Sequence, residues 1–108
     1  MKFNMQNVLQ QAQKMQSEIE RMKGEISNKT VTAESGGGMV SVIMTGNNVL
    51  ISLKISKEII NPDDPEMLED LIIAAVNKAS KDAGEMASEE MSKITGMMPQ
   101  IPVLNLGI

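Results

Sequence analysis

The feature that most constrains this chain is a hydrophobic core with almost no aromatic side chains. Phe3 is the single aromatic residue among 108, whereas methionine occurs 11 times. Aromatic side chains bury more apolar surface than most others, so a monomer of this size is left with a thin core. No cysteine is present, which excludes disulfides as a compensating staple. The chain is therefore expected to form one small domain that is stabilised by a second copy of itself.

Charge is distributed unevenly along the chain, and this bears on its possible partners. The net charge is −4. Residues 1–61 contain seven Lys/Arg and five Asp/Glu, a net of +2, while residues 62–108 contain three Lys and nine Asp/Glu, a net of −6. Phosphate binding requires a local basic surface rather than a basic total. DNA therefore stays possible as a partner, with binding that is expected to weaken in salt.

Residues 4–26 have the apolar spacing of an amphipathic helix. Their apolar side chains recur alternately three and four residues apart, as in the heptad repeat of a coiled coil. The positions are Met5, Val8, Ala12, Met15, Ile19, Met22 and Ile26. Gly24 and the pair Ser27-Asn28 are predicted to end the helix. A stripe this narrow is typical of a helix that packs against one or two others.

Residues 29–56 alternate apolar and polar side chains in the manner of β-strands. A first alternating segment ends at three consecutive glycines, and a second covers residues 39–45. Gly46-Asn47-Asn48 predicts a hairpin turn, because Gly and Asn tolerate positive φ. Residues 49–56 alternate again. The segment is therefore predicted to be a three-stranded antiparallel meander.

Both faces of this sheet are expected to need cover, because strict alternation places apolar side chains on each. One face has Val49, Ile51, Leu53 and Ile55, and the other has Met39, Ile43 and Leu50. We expect the first helix to cover one face of the sheet. A second subunit is the simplest cover for the other.

A break in the chain at NPDDP is followed by a long predicted helix, roughly residues 66–95. Asp63 and Glu66 have the spacing of a capping box, and Pro65 suits a first helical turn. At about 1.5 Å per residue the helix is about 45 Å long. Three strands cannot cover that length, so the end of the helix is expected to project from the body.

The C-terminal residues read differently from the rest of the chain. Residues 96–108 contain apolar clusters that are interrupted by Pro99 and Pro102. We predict a single α+β domain over residues 1–95 and a flexible C-terminal tail over 96–108. No stretch has the length of a membrane span, and no signal peptide is recognised at the start, so a cytoplasmic location without membrane contact is expected.

The residue types required for most catalytic chemistry are missing. The chain has no His, Cys, Tyr or Trp, which removes Ser-His-Asp and Cys-His nucleophiles and the usual zinc sites. Asp63-Asp64 offers metal ligands, but it lies where a helix cap belongs. Gly36–Gly38 lies between two strands, which favours a turn over a phosphate-binding loop. We expect no enzyme activity, cofactor, metal site or small-molecule substrate.

Six basic residues are the candidates for contact with DNA. Three belong to the first helix and three to the second: Lys14, Arg21, Lys23, Lys78, Lys81 and Lys93. Each is also explained as a solvated side chain that pairs with nearby acids on its own helix. No dense basic run is present. A symmetric dimer nevertheless doubles each cluster at a fixed separation, which suits a DNA duplex.

Four segments together resemble the YbaB/EbfC family of bacterial nucleoid-associated proteins. They are QAQKMQ at 11–16, ESGGGMVSV at 34–42, DDPEMLEDLIIAAVNKA at 63–79 and GMMP at 96–99. Their order and spacing match over nearly the whole chain. The glycine triplet followed by a helix with an acidic start is the distinctive part.

The resemblance implies an α+β fold with an N-terminal helix, a three-stranded antiparallel sheet and a long C-terminal helix. It also implies a homodimer whose long helices project like tweezers. The expected function is binding of double-stranded DNA with little sequence preference. Such binding would organise the cytoplasmic nucleoid or modulate expression.

Two features depart from the family pattern, which often has basic residues in the sheet. Ser41 replaces a basic residue between the valines after the glycines, and Lys54 is the only charged residue of the third strand. The resemblance therefore implies that DNA contacts shift onto the helices. An alternative interpretation is a protein–protein interaction scaffold without direct DNA binding, because the heptad stripe and the apolar second sheet face also suit protein partners.

Overall fold

The computed structural model describes residues 4–97, so residues 98–108 of the predicted tail lie outside the described part. The elements are α1 (Met5–Asn28), β1 (Thr30–Ser35), β2 (Val40–Thr45), β3 (Leu50–Ile55) and α2 (Pro65–Met97). Two short 3-10 turns, Gly36–Gly38 and Lys57–Ile59, connect them. The strands form one antiparallel sheet in the order β1-β2-β3. The predicted α+β class and element order are confirmed, whereas the division into domain and tail stays a prediction.

The main core lies between α2 and one face of β1 and β2. On the sheet it consists of Ala33, Val40, Val42 and Met44. The helix contributes alanines four residues apart, Ala75, Ala79 and Ala83, all fully buried. Residues four apart lie on one face of a helix. Because alanine is short, this face lets the α2 backbone lie close to the strands.

The first helix does not cover a sheet face, so that prediction is wrong. It packs instead along the second half of α2, where Met22, Ile26 and Ile94 are buried. The 33 residues of α2 extend for about 50 Å, while a six-residue strand spans about 20 Å. The second half of α2 therefore has no strands beneath it, and α1 buries its apolar side. We call α1 and the second half of α2 (residues 84–97) the helical arm.

The heptad stripe of α1 is used only in part. Met15 and Ile19 pack against the cluster around Met22 and Ile26, whereas Met5, Val8 and Leu9 are exposed. The predicted helix itself is confirmed. It begins after Asn4, whose side chain accepts hydrogen bonds from two backbone N–H groups, and it continues through Gly24 to Asn28.

The glycine triplet forms a tight turn between β1 and β2. All three glycines have positive φ: 60° at Gly36, 66° at Gly37 and 94° at Gly38. A Cβ at Gly36 would lie 3.1 Å from a methyl group of Leu71. Ser35 Oγ donates a 2.6 Å hydrogen bond to the Leu71 carbonyl and ties the turn to α2. The glycines thus serve a turn with a close approach, as their place between two strands predicted.

The β2–β3 hairpin turns where predicted, but its third strand is irregular. Asn48 has φ of 66°, and its N–H donates to the Thr45 carbonyl at 3.0 Å. The pairing shifts between Ile43 and Met44, so that Leu50 lies opposite Met44. Opposed side chains share a face. Leu50 therefore turns to the same side of the sheet as buried Met44, and the strict alternation predicted for β3 is wrong.

The start of α2 is capped by a different residue from the one predicted. The Met67 N–H donates to Asp64 Oδ1 at 3.4 Å, while the Asp63 N–H donates to the Asn61 side chain at 2.9 Å. The helix begins at Pro65, so Asp64 directly precedes it and occupies the cap position. The predicted Asp63 capping box was one residue too early.

Replacing Gly46 by alanine is expected to destabilise the protein. A Cβ there would lie 2.5 Å from the Ile26 carbonyl oxygen and 2.6 Å from Ile26 Cγ2. Over-packing of this kind costs about 1–3 kcal/mol. Gly84→Ala is the control, because Gly84 is a helix position with nothing within 4 Å of the added methyl group and should gain about 0.5–1 kcal/mol. Urea unfolding at one fixed protein concentration measures both variants. Equal stability of the two would contradict the close approach at Gly46.

Candidate nucleic-acid interface

The basic residues of α1 do not share one face. Lys14 and Arg21 are seven residues apart, which places them within about 20° of each other around the helix. Lys23 is two residues beyond Arg21, about 200° away. All three are exposed. The structure therefore brings Lys14 and Arg21 to one side of the arm and separates Lys23 from them.

Arg21 is already occupied by two carboxylates of its own helix. Its Nη2 lies 2.7 Å from Glu18 Oε2, and its Nη1 lies 2.7 Å from Glu25 Oε1. The hydrogen bond to Glu18 is the main cause that raises the pKa of Arg21 above its ordinary value, and the charges of Glu18 and Glu25 add to it. A DNA phosphate would have to compete with both acids for the guanidinium group.

The start of α1 differs from the rest of the arm in its charge. Residues 4–17 contain Lys14 and no Asp or Glu. Glutamines dominate the exposed positions there, and glutamine side chains can donate hydrogen bonds to phosphate oxygens. In the described part of the chain no carboxylate lies within ion-pair distance of the Lys14 ammonium group. Lys14 therefore has no ion-pair partner among the described residues, and Glu18, one turn further along α1, is the nearest acid in sequence.

The basic residues of α2 fall in two places. Lys78 and Lys81 lie one turn apart, are exposed, and form no ion pair within residues 4–97. Lys93 lies 12 residues further along the helix, about 18 Å away. Acidic residues are close to the first pair in sequence, at Asp82 and Glu85. The local field at Lys78 and Lys81 is therefore weaker than two cations alone would produce.

Lys93 belongs to a cluster that sequence reasoning missed in part. Glu90 is the only charged residue buried in the described part of the chain, with 8% of its surface exposed. Lys29 Nζ lies 2.6 Å from its Oε1, and Lys93 Nζ lies 3.3 Å from both of its oxygens. The three-residue spacing of Glu90 and Lys93 signals a helix pair. Lys29 is 61 residues away in sequence, and no local pattern indicates it.

The Glu90 carboxylate is held in its charged form by this pairing. The hydrogen bond from Lys29 is the main cause that lowers the pKa of Glu90, although burial acts in the opposite direction. Lys93 adds a second hydrogen bond that also lowers it. Because Lys29 directly follows α1 and Glu90 lies on α2, the cluster joins the C-terminal end of α1 to α2.

Exposed cations are the main binding groups among the described residues. Within residues 4–97 no three His, Cys, Asp or Glu side chains are grouped closely enough to hold a metal ion. No helix in that range is long and apolar enough to cross a membrane. The arrangement instead supplies exposed cations in three pairs: Lys14 with Arg21, Lys78 with Lys81, and Lys29 with Lys93. Exposed cations of this kind suit an extended polyanion.

Comparison with known proteins identifies the family. Its sequence model matches residues 1–98. The chain belongs to the YbaB/EbfC DNA-binding family. A nucleoid-associated protein from Acetivibrio thermocellus is 50% identical over 101 residues, which cover 94% of this chain and 89% of that relative. One from Caldanaerobacter subterraneus is 50% identical over 94 residues, 87% of this chain and 85% of that relative. The family is described by its binding of DNA.

A solved structure supports the fold of this family member. The crystal structure of an uncharacterized protein from Helicobacter pylori superposes with a TM-score of 0.75 and 22% sequence identity. The match covers 87% of this chain and 99% of the other. At that identity the likeness establishes the fold, and the resemblance read from the sequence segments is confirmed by the family match.

Glu90→Gln is expected to lower the stability of this family member near neutral pH but not in acid. The pKa of Glu90 is lowered in the folded state. Its stabilising contribution is therefore complete above its unfolded pKa, near 4.5, and is lost as the pH falls through the lower folded value. Melting temperatures of wild type and Glu90→Gln from pH 7 to pH 3 measure this. The gap between them should close in acid, and a gap independent of pH would contradict the assignment.

Proposed function

We propose that this protein binds duplex DNA as a homodimer, mostly through phosphate contacts with little sequence preference. In this role it organises the nucleoid or modulates expression. The observation that carries the proposal is membership of a DNA-binding family over residues 1–98. Relatives that are 50% identical carry the name nucleoid-associated protein. The three pairs of exposed cations supply the chemistry that such binding requires.

The residue types available favour contact with the DNA backbone over reading of base edges. Arginine bidentate to guanine is the commonest specific contact. The chain has one arginine, Arg21, and two carboxylates already hold it. The other cations are lysines, which act as point charges and bind phosphates without a fixed geometry. Contacts to phosphates position a protein but carry no sequence information directly.

Lys14 is the leading candidate among the six residues. It stands on the acid-free stretch of α1 and is exposed. Arg21 lies on the same side of the helix, but Glu18 and Glu25 already neutralise its charge. The proposed set also contains Lys23, Lys78, Lys81 and Lys93. A phosphate that approaches Lys14 meets no carboxylate within the described part of α1 until Glu18. The acids near the other cations favour modest affinity that falls steeply with salt.

Exposed apolar residues of β3 support the homodimer. Leu50, Ile51 and Leu53 of β3, and Val49 directly before it, are all more than 40% exposed, because α2 covers β1 and β2 and leaves the edge strand open. Ser80 Oγ donates to the Asn48 side chain in the β2–β3 turn at 2.5 Å, so this side of α2 faces β3. Ile73, seven residues before Ser80, lies on the same side and is exposed. A second copy of the chain would bury this apolar surface.

Leu53→Asp is expected to dissociate the dimer, because it places a charge in the apolar β3 surface. Thr32→Asp is the matched control, since Thr32 is exposed and opposes Ile43 on the other face of the sheet. Multi-angle light scattering at micromolar concentration measures the mass. Wild type and Thr32→Asp should have twice the monomer mass of 11.7 kDa, and Leu53→Asp should approach the single mass. A monomeric wild type, or equal masses for both variants, would overturn the proposed interface.

Lys14→Ala is expected to weaken DNA binding more than Arg21→Ala, and equally on unrelated sequences. Fluorescence anisotropy of two 20-base-pair duplexes of different sequence, titrated at several salt concentrations, measures this. Each lost phosphate contact lowers the slope of log affinity against log salt by about 0.9. Lys57→Ala is the control, because it removes the same charge from an exposed position outside the arm. Variants that change the preference between the duplexes would refute phosphate contact.

The alternative function is a protein scaffold, and one observation favours it. Met5, Val8 and Leu9 form an exposed apolar stripe at the start of α1, which suits a protein partner as well as a second subunit. The same titration separates the two functions. Wild-type protein that leaves the anisotropy of both duplexes unchanged at the lowest salt would refute direct DNA binding and favour the scaffold.

A further inference from the structure

Two ammonium groups lie next to one buried carboxylate in the helical arm, near the point where α1 ends and β1 begins. Lys29 and Lys93 both lie within 3.3 Å of Glu90 Oε1. The Glu90 side chain is 11% exposed, whereas those of Lys29 and Lys93 are 46% and 63% exposed. The carboxylate therefore lies beneath and the two cations face solvent. Because they share an oxygen, the two ammonium groups are close enough for a single oxyanion to contact both.

The cluster keeps hydrogen-bonding capacity that Glu90 does not use. A lysine ammonium group has three donors and no acceptor. Each lysine uses only some of its N–H donors for hydrogen bonds to Glu90. The remaining donors are available on the exposed side. One carboxylate between two ammonium groups gives a net charge of +1. A single lysine would already neutralise Glu90, so the second cation is surplus to the internal pairing.

We infer that Lys29 and Lys93 together bind one phosphate of the DNA backbone, and that the negative charge of Glu90 limits their affinity. The inference rests on the proposed DNA binding and adds Lys29 to its contacts. The negative charge of Glu90, which lies beneath the two cations, repels that phosphate. In a symmetric dimer the two copies of this site lie at a fixed separation.

Removal of both lysines tests the phosphate contact. Lys29→Ala/Lys93→Ala is compared with Lys54→Ala/Lys57→Ala, which removes the same two charges from exposed positions outside the arm. In anisotropy titrations at several salt concentrations, the first double variant should lower the salt slope by about one for each contacting lysine. The control should change the slope less. Equal reductions would indicate a general effect of net charge and overturn the site.

Glu90→Gln tests the limiting role, with Glu90→Asp as the variant that keeps the charge. Removal of the negative charge should tighten DNA binding roughly two- to fivefold, the range measured for ion pairs at solvent-exposed cations, and should steepen the salt slope. Glu90→Asp should bind no more tightly than wild type. A purely structural Glu90 would instead weaken binding when replaced. Circular dichroism and light scattering on each variant verify the fold and the oligomer.

The outcomes separate this inference from the function on which it rests. Tight wild-type binding with unchanged or weaker binding by Glu90→Gln would overturn the role of Glu90 and leave DNA binding in place. A double lysine variant that matches wild type would overturn the phosphate contact. Failure of the wild type to bind any duplex at low salt would overturn DNA binding itself, and this site with it.

Discussion

The close packing of three alanines of α2 on the sheet determines much of the rest of the structure. Ala75, Ala79 and Ala83 are fully buried against β1 and β2. Because the side chains are short, the helix lies near the strands and covers two of them, which leaves β3 open. The helix also extends beyond the strands, so the apolar side of its second half needs another partner. That partner is α1. The position of α2 on the sheet thus accounts for the exposed β3 surface, and its length accounts for the helical arm.

The thin core explains why these surfaces are left exposed. Without aromatic side chains, the chain fills its interior with Val, Ala and Met, which bury less apolar area per residue. The two hydrophobic clusters are separate, one under the sheet and one in the arm. Each is small. A second subunit on β3 would enlarge the first cluster, whereas the second depends on the packing of α1 and on the Glu90 ion pairs that join the two helices.

Local sequence patterns predicted the elements well but predicted their contacts poorly. Helical and strand periodicities and the turn at Gly46-Asn47-Asn48 follow from short-range chemistry, and all appear in the structure. The packing position of α1 depends on how far α2 extends beyond the sheet. Sequence periodicity does not encode that relation. The register shift between Ile43 and Met44 places Leu50 opposite Met44. It breaks the strict alternation that the sequence of β3 suggests. Lys29 meets Glu90 across 61 residues, so only the fold reveals that pair.

The acidic total of the chain is compatible with a DNA-binding role because the negative charge is placed unevenly. Most acids lie on α2, or form pairs with α1 cations such as Arg21, while the first part of α1 has none. At 0.1 M salt, both the repulsion from the acids and the attraction to the lysines are largely screened beyond about 10 Å. Affinity is then set by short-range contacts at a few cations. The inferred role of Glu90 follows from this arrangement, because its carboxylate lies within 3.3 Å of two of those cations.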